Sequence, residues 1–404
     1  MSTATLQNPR LIVVQGNYRQ MGEDLGRATA DLIARSLDTY VGRFRDDAGL
    51  SDADIDRWGR IYLDIAASYS PEVAAMLDGM ATGSRQPAHR LAALNARTEM
   101  LYGTGYRDEG CTSLSVLPRY TGDGHTLLAQ NWDWHPEQAE VTFLLATRDE
   151  TGFSVLSLAE AGMFAKSGLN SSGLGVCANL LVSDRDRGGA GVPYHYLLRG
   201  ALQARTMSGA HKKLLPVERI SSGNVLLADG TGGEAIDFEL APDVFGTLLP
   251  ENGLIAHANH FETPLPLHDK KAATSALTLL RSVRARHLLE PALNERRVGV
   301  ADVVATLRDE WSFPDGICRH PDPDVPEGER NATVYSVVMD LTDRVLWIAP
   351  GPPSQHGYAR WELDTLFDDP APKPLEFLPE DTPTATSAPT ATSAPTFQSE
   401  ETPA

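Results

Sequence analysis

The chain changes its hydrophobic rhythm near residue 110. Residues 10–15 (RLIVVQ) form a short apolar run and predict a strand. From Tyr18 to about Ala96, apolar residues recur every three or four positions, and this stretch predicts a series of helices. After Gly110 the period falls to two. CTSLSVLP, TLLAQNWDW, VTFLLATRD, FSVLSLAE and GLGVCANLLVS read as successive strands separated by turn residues. Helical spacing returns around 194–207 and 275–290. Between these helices NVLLADGTGGEAIDFEL predicts a hairpin with glycines in its turn. TVYSVVMDL and RVLWIAP add late strands. A helical opening, many antiparallel strands and interspersed helices predict an α+β protein with packed sheets covered by helices.

The end of the chain has a different composition. Residues 371–404 are rich in Pro, Thr, Ser and Ala, and TATSAP at 384–389 recurs at 390–395. Such a segment buries too little apolar surface to offset its ordering entropy, so it is expected to be a disordered tail. The formal net charge of −19 disfavours nucleic acid and anionic membranes as partners, since both repel an acidic surface. No apolar run approaches the length of a membrane-spanning helix. The first residues show no basic and then apolar leader. Three cysteines, Cys111, Cys177 and Cys318, imply no disulfide framework and favour a reducing, cytoplasmic location.

Candidate chemistry centres on Glu109-Gly110-Cys111-Thr112-Ser113, with Gln130-Asn131-Trp132-Asp133-Trp134 about one hairpin later. A cysteine opening a strand after a glycine is a candidate nucleophile at a close-approach turn, and an acid on the next strand could orient protons. Taken alone, Cys111 reads more readily as a small buried hydrophobe than as a nucleophile. His257, His260 and His135 lack a matching set of metal ligands, so no metal is expected. No G-x-S-x-G follows a strand, and the glycines at 230–233 sit in a hairpin rather than a phosphate loop.

Several segments, in order, resemble the acyl-CoA:6-aminopenicillanate acyltransferase family (peptidase family C45). Its members are self-processing N-terminal-nucleophile hydrolases. GNYRQMGEDLG (16–26), EGCTS (109–113), QNWDW (130–134), EAGMFAKSGLNSSGLGVCAN (160–179), HANH (257–260) and ICR (317–319) carry the resemblance, with GPP (351–353) a weaker echo. It implies a four-layer αββα sandwich. It also implies cleavage between Gly110 and Cys111, giving a mostly helical chain 1–110 and a catalytic chain 111–370 followed by the tail. The two pieces are expected to stay together. Cys111 is the implied nucleophile and Asp133 the implied catalytic acid. Asn259 is implied as an amide donor to the oxyanion, and Arg319 as the site arginine facing a carboxylate. Thr112, Glu160 and Asn179 take supporting places. No cofactor is expected, although a CoA thioester is a candidate acyl donor. The implied reaction makes or breaks the amide bond of a small N-acyl amine through a thioester. The rival reading is an unprocessed, non-catalytic binding protein.

Overall fold

In the computed structural model, which describes residues 10–101, 110–275, 277–375 and 377–378, the alternating stretches build two sheets. The first contains β1 (Leu11–Gln15), β4 (Thr142–Arg148), β5 (Ser154–Glu160), β6 (Gly168–Asn170), β7 (Leu174–Asn179), β8 (Gly223–Asp229), β9 (Glu234–Leu240) and β10 (Phe245–Leu248), paired in that order. The second runs β11 (Leu254–His257), β2 (Gly110–Val116), β3 (Leu127–Trp134), β12 (Ala332–Asp340), β13 (Val345–Pro350), β14 (Tyr358–Glu362) and β15 (Phe377–Leu378). Neighbours are antiparallel except β1, which runs parallel to β4 and adds the start of the chain to the first sheet.

Ten helices accompany the sheets among the described residues. They are α1 (Tyr18–Ala28), α2 (Ala30–Asp46), α3 (Asp52–Tyr69), α4 (Pro71–Ser84), α5 (Ala88–Asn95), α6 (Arg97–Leu101), α7 (Tyr194–Leu202), α8 (Met207–Leu214), α9 (Thr278–Asn294) and α10 (Val300–Leu307). The helix expected around 194–207 is two. The first stops at Leu202, and the second starts where Thr206 Oγ1 accepts from Gly209 N. The tail, expected from residue 371, gives up Phe377–Leu378, whose backbone pairs with β14. The rest of it, from residue 379, lies outside the described residues, as do residues 1–9 and Glu109.

Period-two alternation explains the layers. On β2 and β3, Leu114, Val116, Leu127 and Ala129 face outward and pack against Ala285 and Leu289 of α9 and Val303 and Leu307 of α10. The intervening residues, including Cys111, Leu128 and Trp132, face inward towards Cys177, Leu226 and Ala228 of the first sheet. The outer face of that sheet presents Val155, Val225 and Leu227 to Leu197 and Leu198 of α7 and Leu214 of α8. The order is helix, sheet, sheet, helix: an αββα sandwich, with α1–α6 packed beside α7. Among the described residues no helix is long and apolar enough to cross a membrane.

The opening helices join the body through close backbone approach. In α1 and α4, Gly22, Gly26, Gly79 and Gly83 recur at four-residue spacing and face each other. A Cβ on Gly79 would lie 1.9 Å from Arg19 O, so only glycine allows this crossing. Buried residues of α1–α5 then share one continuous core with the inner faces of both sheets.

Candidate active site

Gly110 and Cys111 open β2 and pair with Asp133 and Trp132 of β3. Adjacent residues of a strand point to opposite faces, so the two candidate groups separate. The Cys111 side chain points into the sandwich. The Asp133 side chain points outward, towards Gly110, α9 and the segment around Arg319. Thr333 Oγ1 donates to Asp133 Oδ1 at 2.7 Å, while Oδ2 has no hydrogen-bond partner. A Cβ on Gly110 would meet Asp133 Oδ2 at 2.9 Å and Arg319 Nη1 at 3.3 Å. Glycine therefore lets the carboxylate and the guanidinium close around the peptide that precedes Cys111. Burial raises the Asp133 carboxyl above its ordinary range, and Arg281 and Arg319 oppose that rise.

Arg281, which the sequence reading did not single out, is the hub of this face. Its Nη1 donates to Cys111 O at 2.6 Å and to Thr112 Oγ1 at 3.0 Å, and its Nη2 donates to Asn259 Oδ1 at 2.7 Å. Nη1 also stands 3.9 Å from Asp133 Oδ2. One signal could have found it. Arg281, Ala285 and Leu289 fall at four-residue spacing on the buried stripe of α9, where an arginine needs a partner. Arg319 pairs with Asp315 (Nη2–Oδ1 3.0 Å); its backbone N donates to Thr333 Oγ1 at 3.0 Å and its carbonyl accepts from Thr333 N at 3.0 Å.

Asn259 follows β11, the strand beside β2. Its Oδ1 accepts from Cys111 N at 2.7 Å, and its Nδ2 donates to Leu180 O at 2.9 Å. Two donors at the oxygen and a carbonyl at the nitrogen fix the amide's orientation. In this arrangement it is the oxygen, not the amide nitrogen, that faces the nucleophile's backbone. Asn179 lies on the inner face, where Nδ2 donates to Ser113 Oγ at 2.8 Å and His257 O at 3.1 Å. His257 pairs with Glu239 at 2.9 Å rather than joining His260 in a ligand set. Asp237 and Glu239 overcome burial and hold this imidazole up at about 9.

Cys111 opens on a narrow cavity of about 50 Å³. Trp132 and Trp134 form one wall, and a cation sits over each ring. Lys166 Nζ lies 4.0 Å from the Trp132 centroid, and Arg97 Cζ 4.2 Å from that of Trp134. Glu160 ties the two together, with Lys166 Nζ at 2.6 Å and Arg97 Nη2 at 3.2 Å from Oε2, and it accepts from Tyr40 OH at 2.8 Å. Burial and Arg97 pull the Lys166 ammonium down to about 8 despite Glu160. Cys318 is buried. Burial pushes its thiol up to about 12, although hydrogen bonding with Ser354 opposes that rise. Cys177, on the facing sheet, is fully buried, and burial, reinforced by Cys111 and Asp237, pushes its thiol well up.

The site thus combines a cysteine at a strand start, a glycine-flanked peptide enclosed by buried charges, and a cavity beside the thiol. The family described as acyl-coenzyme A:6-aminopenicillanic acid acyl-transferase matches residues 120–355, more than half of the chain. The 40 kDa form of acyl-coenzyme A:6-aminopenicillanic-acid-acyltransferase from Emericella nidulans is 26% identical over 346 residues, covering 85% of this chain and 93% of that protein. Among solved structures, a variant of conjugated bile acid hydrolase from Clostridium perfringens aligns with a TM-score of 0.43 at 12% identity, over 63% of this chain and 93% of that one. The Caenorhabditis elegans orthologue of N-acylethanolamine-hydrolyzing acid amidase aligns at 0.40 and 16% identity, over 57% and 93%. The last two likenesses are distant, and the layered fold rests on the two sheets themselves. By its sequence match across most of its length, the chain belongs to the acyl-coenzyme A:6-aminopenicillanic acid acyl-transferase family.

Proposed function

We propose that this chain is a self-processing N-terminal-nucleophile enzyme that acts on the amide bond of a small N-acyl amine through a thioester on Cys111. The observation that carries the reading is the 2.7 Å contact between Cys111 N and Asn259 Oδ1, beside a Gly110 peptide enclosed by Asp133, Arg281 and Arg319. In processing, Cys111 Sγ attacks the Gly110 carbonyl carbon. The C–N bond breaks, the nitrogen takes the thiol proton, and water releases a Gly110 carboxylate from the thioester. Cys111 is left with a free α-amine.

That amine is the base of the mature site. Its reference pKa is about 7.7–8.0, and the Arg281 guanidinium that shares the Asn259 oxygen favours its neutral form. A neutral amine takes the thiol proton without a histidine. Sγ then attacks the substrate carbonyl, the amine product leaves with a proton, and water or another amine resolves the acyl-enzyme. Asn259 holds the amine, Arg281 holds the Cys111 carbonyl, and Asp133 balances both guanidinium groups.

Arg97 and Lys166 line the cavity, and Glu160 pairs with both from behind its wall. The Lys166 ammonium in this wall favours a substrate that carries an anionic group near the scissile amide. Hydrolysis is the leading outcome. Transfer from a CoA thioester is the second reading, favoured by the near full-length likeness to an acyl-coenzyme A-dependent relative. Both need only residues of this chain. The three free cysteines fit a reducing, cytoplasmic setting.

The test is intact-mass analysis followed by turnover of N-acyl amines, with and without acyl-CoA. Two fragments, 1–110 and 111–404, with amine release support the reading. A wild-type chain that stays whole and inert overturns it. Absence of CoA release from acyl-CoA and amine mixtures removes the transfer reading alone.

A further inference from the structure

A second cavity, of about 200 Å³, lies behind α6 and away from the thiol. Ala48, Leu50, Trp58, Tyr62, Glu99 and Met100 line it, and the Gly188–Gly189 loop edges its mouth. Of these, Glu99 is only 6% exposed. Glu99 Oε1 accepts from Tyr194 N at 2.8 Å and Ser221 Oγ at 2.7 Å, both neutral donors. Oε2 has no hydrogen-bond partner, and Glu99 forms no ion pair among the described residues. A buried carboxylate without a counter-ion is costly, and such groups are ordinarily paired.

The rest of the wall limits what could pair with it. Trp58 and Tyr62 stack at 6.1 Å between centroids, and Leu50 and Met100 are apolar. Tyr62 OH already donates to Gly189 O at 3.1 Å, and Arg57, 5.6 Å from the Trp58 centroid, pairs with Asp54. One free carboxylate oxygen among aromatic and aliphatic groups offers too few oxygens for a divalent metal. It matches an organic cation, which gains an ion pair at its charged end and aromatic or aliphatic contact along its body. We propose that this cavity binds a small alkylammonium ion, with Glu99 as its counter-ion and Trp58 and Tyr62 as its wall.

The site is separate from the thiol cavity but adjoins it. Thr98 and Tyr194 line the thiol cavity, while Glu99, next to Thr98 in the chain and hydrogen-bonded to Tyr194 N, lines this one. Among the described residues, Tyr62, Tyr194, Tyr196 and Asp186 interact electrostatically with Glu99, and none of them is cationic. Burial raises the Glu99 carboxyl to about 7, so the charged form that binds an ammonium is populated above neutrality.

The test is calorimetric titration of the full-length chain with n-hexylammonium chloride, with hexan-1-ol and hexanoate as neutral and anionic controls. At a pH near 8 the ammonium should bind, and both controls should be weaker by about tenfold or more. Glu99→Gln keeps the Oε1 acceptor and should lose about tenfold in affinity; Trp58→Leu should lose several-fold. In the wild type, affinity should fall as the pH drops through about 7, which decides the matter even if a variant does not fold. Unchanged affinity in Glu99→Gln, equal binding of hexan-1-ol, or no binding at about 10 mM overturns the proposal. Activity plays no part in the readout, so the proposal stands or falls independently of the proposed reaction.

Discussion

The backbone nitrogen of Cys111 and the side-chain oxygen of Asn259 lie 2.7 Å apart, and this contact joins strand β2 to the end of β11. The same oxygen accepts from Arg281. A nitrogen that is now a peptide N–H would, once freed, already be held by a neutral acceptor next to a fixed positive charge. Replacing Asn259 by Ala should remove that acceptor. Turnover by the processed enzyme is expected to fall by about 10²–10³, with a smaller change in KM. A drop confined to KM would assign Asn259 to substrate binding instead.

Self-cleavage depends on the space at Gly110. In Gly110→Ala, the added Cβ meets Asp133 Oδ2 at 2.9 Å, so the carboxylate and Arg319 must shift. Processing should slow severalfold, seen as uncut chain persisting by mass spectrometry. Cys111→Ala should remain one chain indefinitely. If Gly110→Ala cuts at the wild-type rate, the enclosure of that peptide has no part in processing.

Lys166 makes substrate binding depend on pH. Its ammonium is pulled down to about 8, so its charge is present below that value and lost as the pH rises through it. For a substrate with a carboxylate near the amide, KM should rise above a pH of about 8, while an uncharged analogue should show no such rise. Lys166→Met should raise KM for the anionic substrate by about tenfold or more and remove the pH dependence. Equal behaviour of the two substrates would sink the anionic preference and leave the thioester mechanism untouched.

Glu99 should leave a mark on stability. Its carboxyl is raised to about 7 in the fold but lies in the ordinary range when unfolded. Below the ordinary range both states are protonated and Glu99 contributes nothing. As the pH rises to about 7 the unfolded state loses its proton first, so the fold loses stability, and the penalty persists above. Glu99→Gln should therefore be more stable than wild type at a pH near 8, by about 1–3 kcal/mol, and nearly equal at a pH near 4. Urea unfolding at both values measures this.

The crossing of α1 and α4 gives a further test. Gly79→Ala drives a methyl to 1.9 Å from Arg19 O, a backbone atom that moves only if the helices separate. Destabilisation of about 1–3 kcal/mol or more is expected from the urea midpoint. A variant with an unshifted midpoint would mean that the helices part without cost.

Periodicity and turn residues alone determined most of the elements. The strand at residues 11–15, the helical opening, the β8–β9 hairpin and the paired strands around Cys111 and Asp133 were legible because their apolar positions repeat at the spacing of one secondary structure. The ordered motifs also named Cys111, Asp133, Asn259 and Arg319, which converge around one short stretch of β2. The break between α7 and α8 was less legible, because helical spacing continues on both sides of it. Which face each residue takes, and what it meets there, was decided only by the tertiary structure. Asp133 and Cys111 look like partners along the chain, yet the alternation of the strands sends them to opposite sides of one sheet. Arg281 is marked in the sequence only by its place on the apolar stripe of α9, and what it meets there, Cys111, Thr112 and Asn259, is decided by where α9 packs. Glu99 carries no motif, and its unpaired oxygen exists only because α3, α6 and α7 meet around it. Local pattern reports the geometry a segment prefers, whereas the charge a buried group must answer is set by residues distant in the chain.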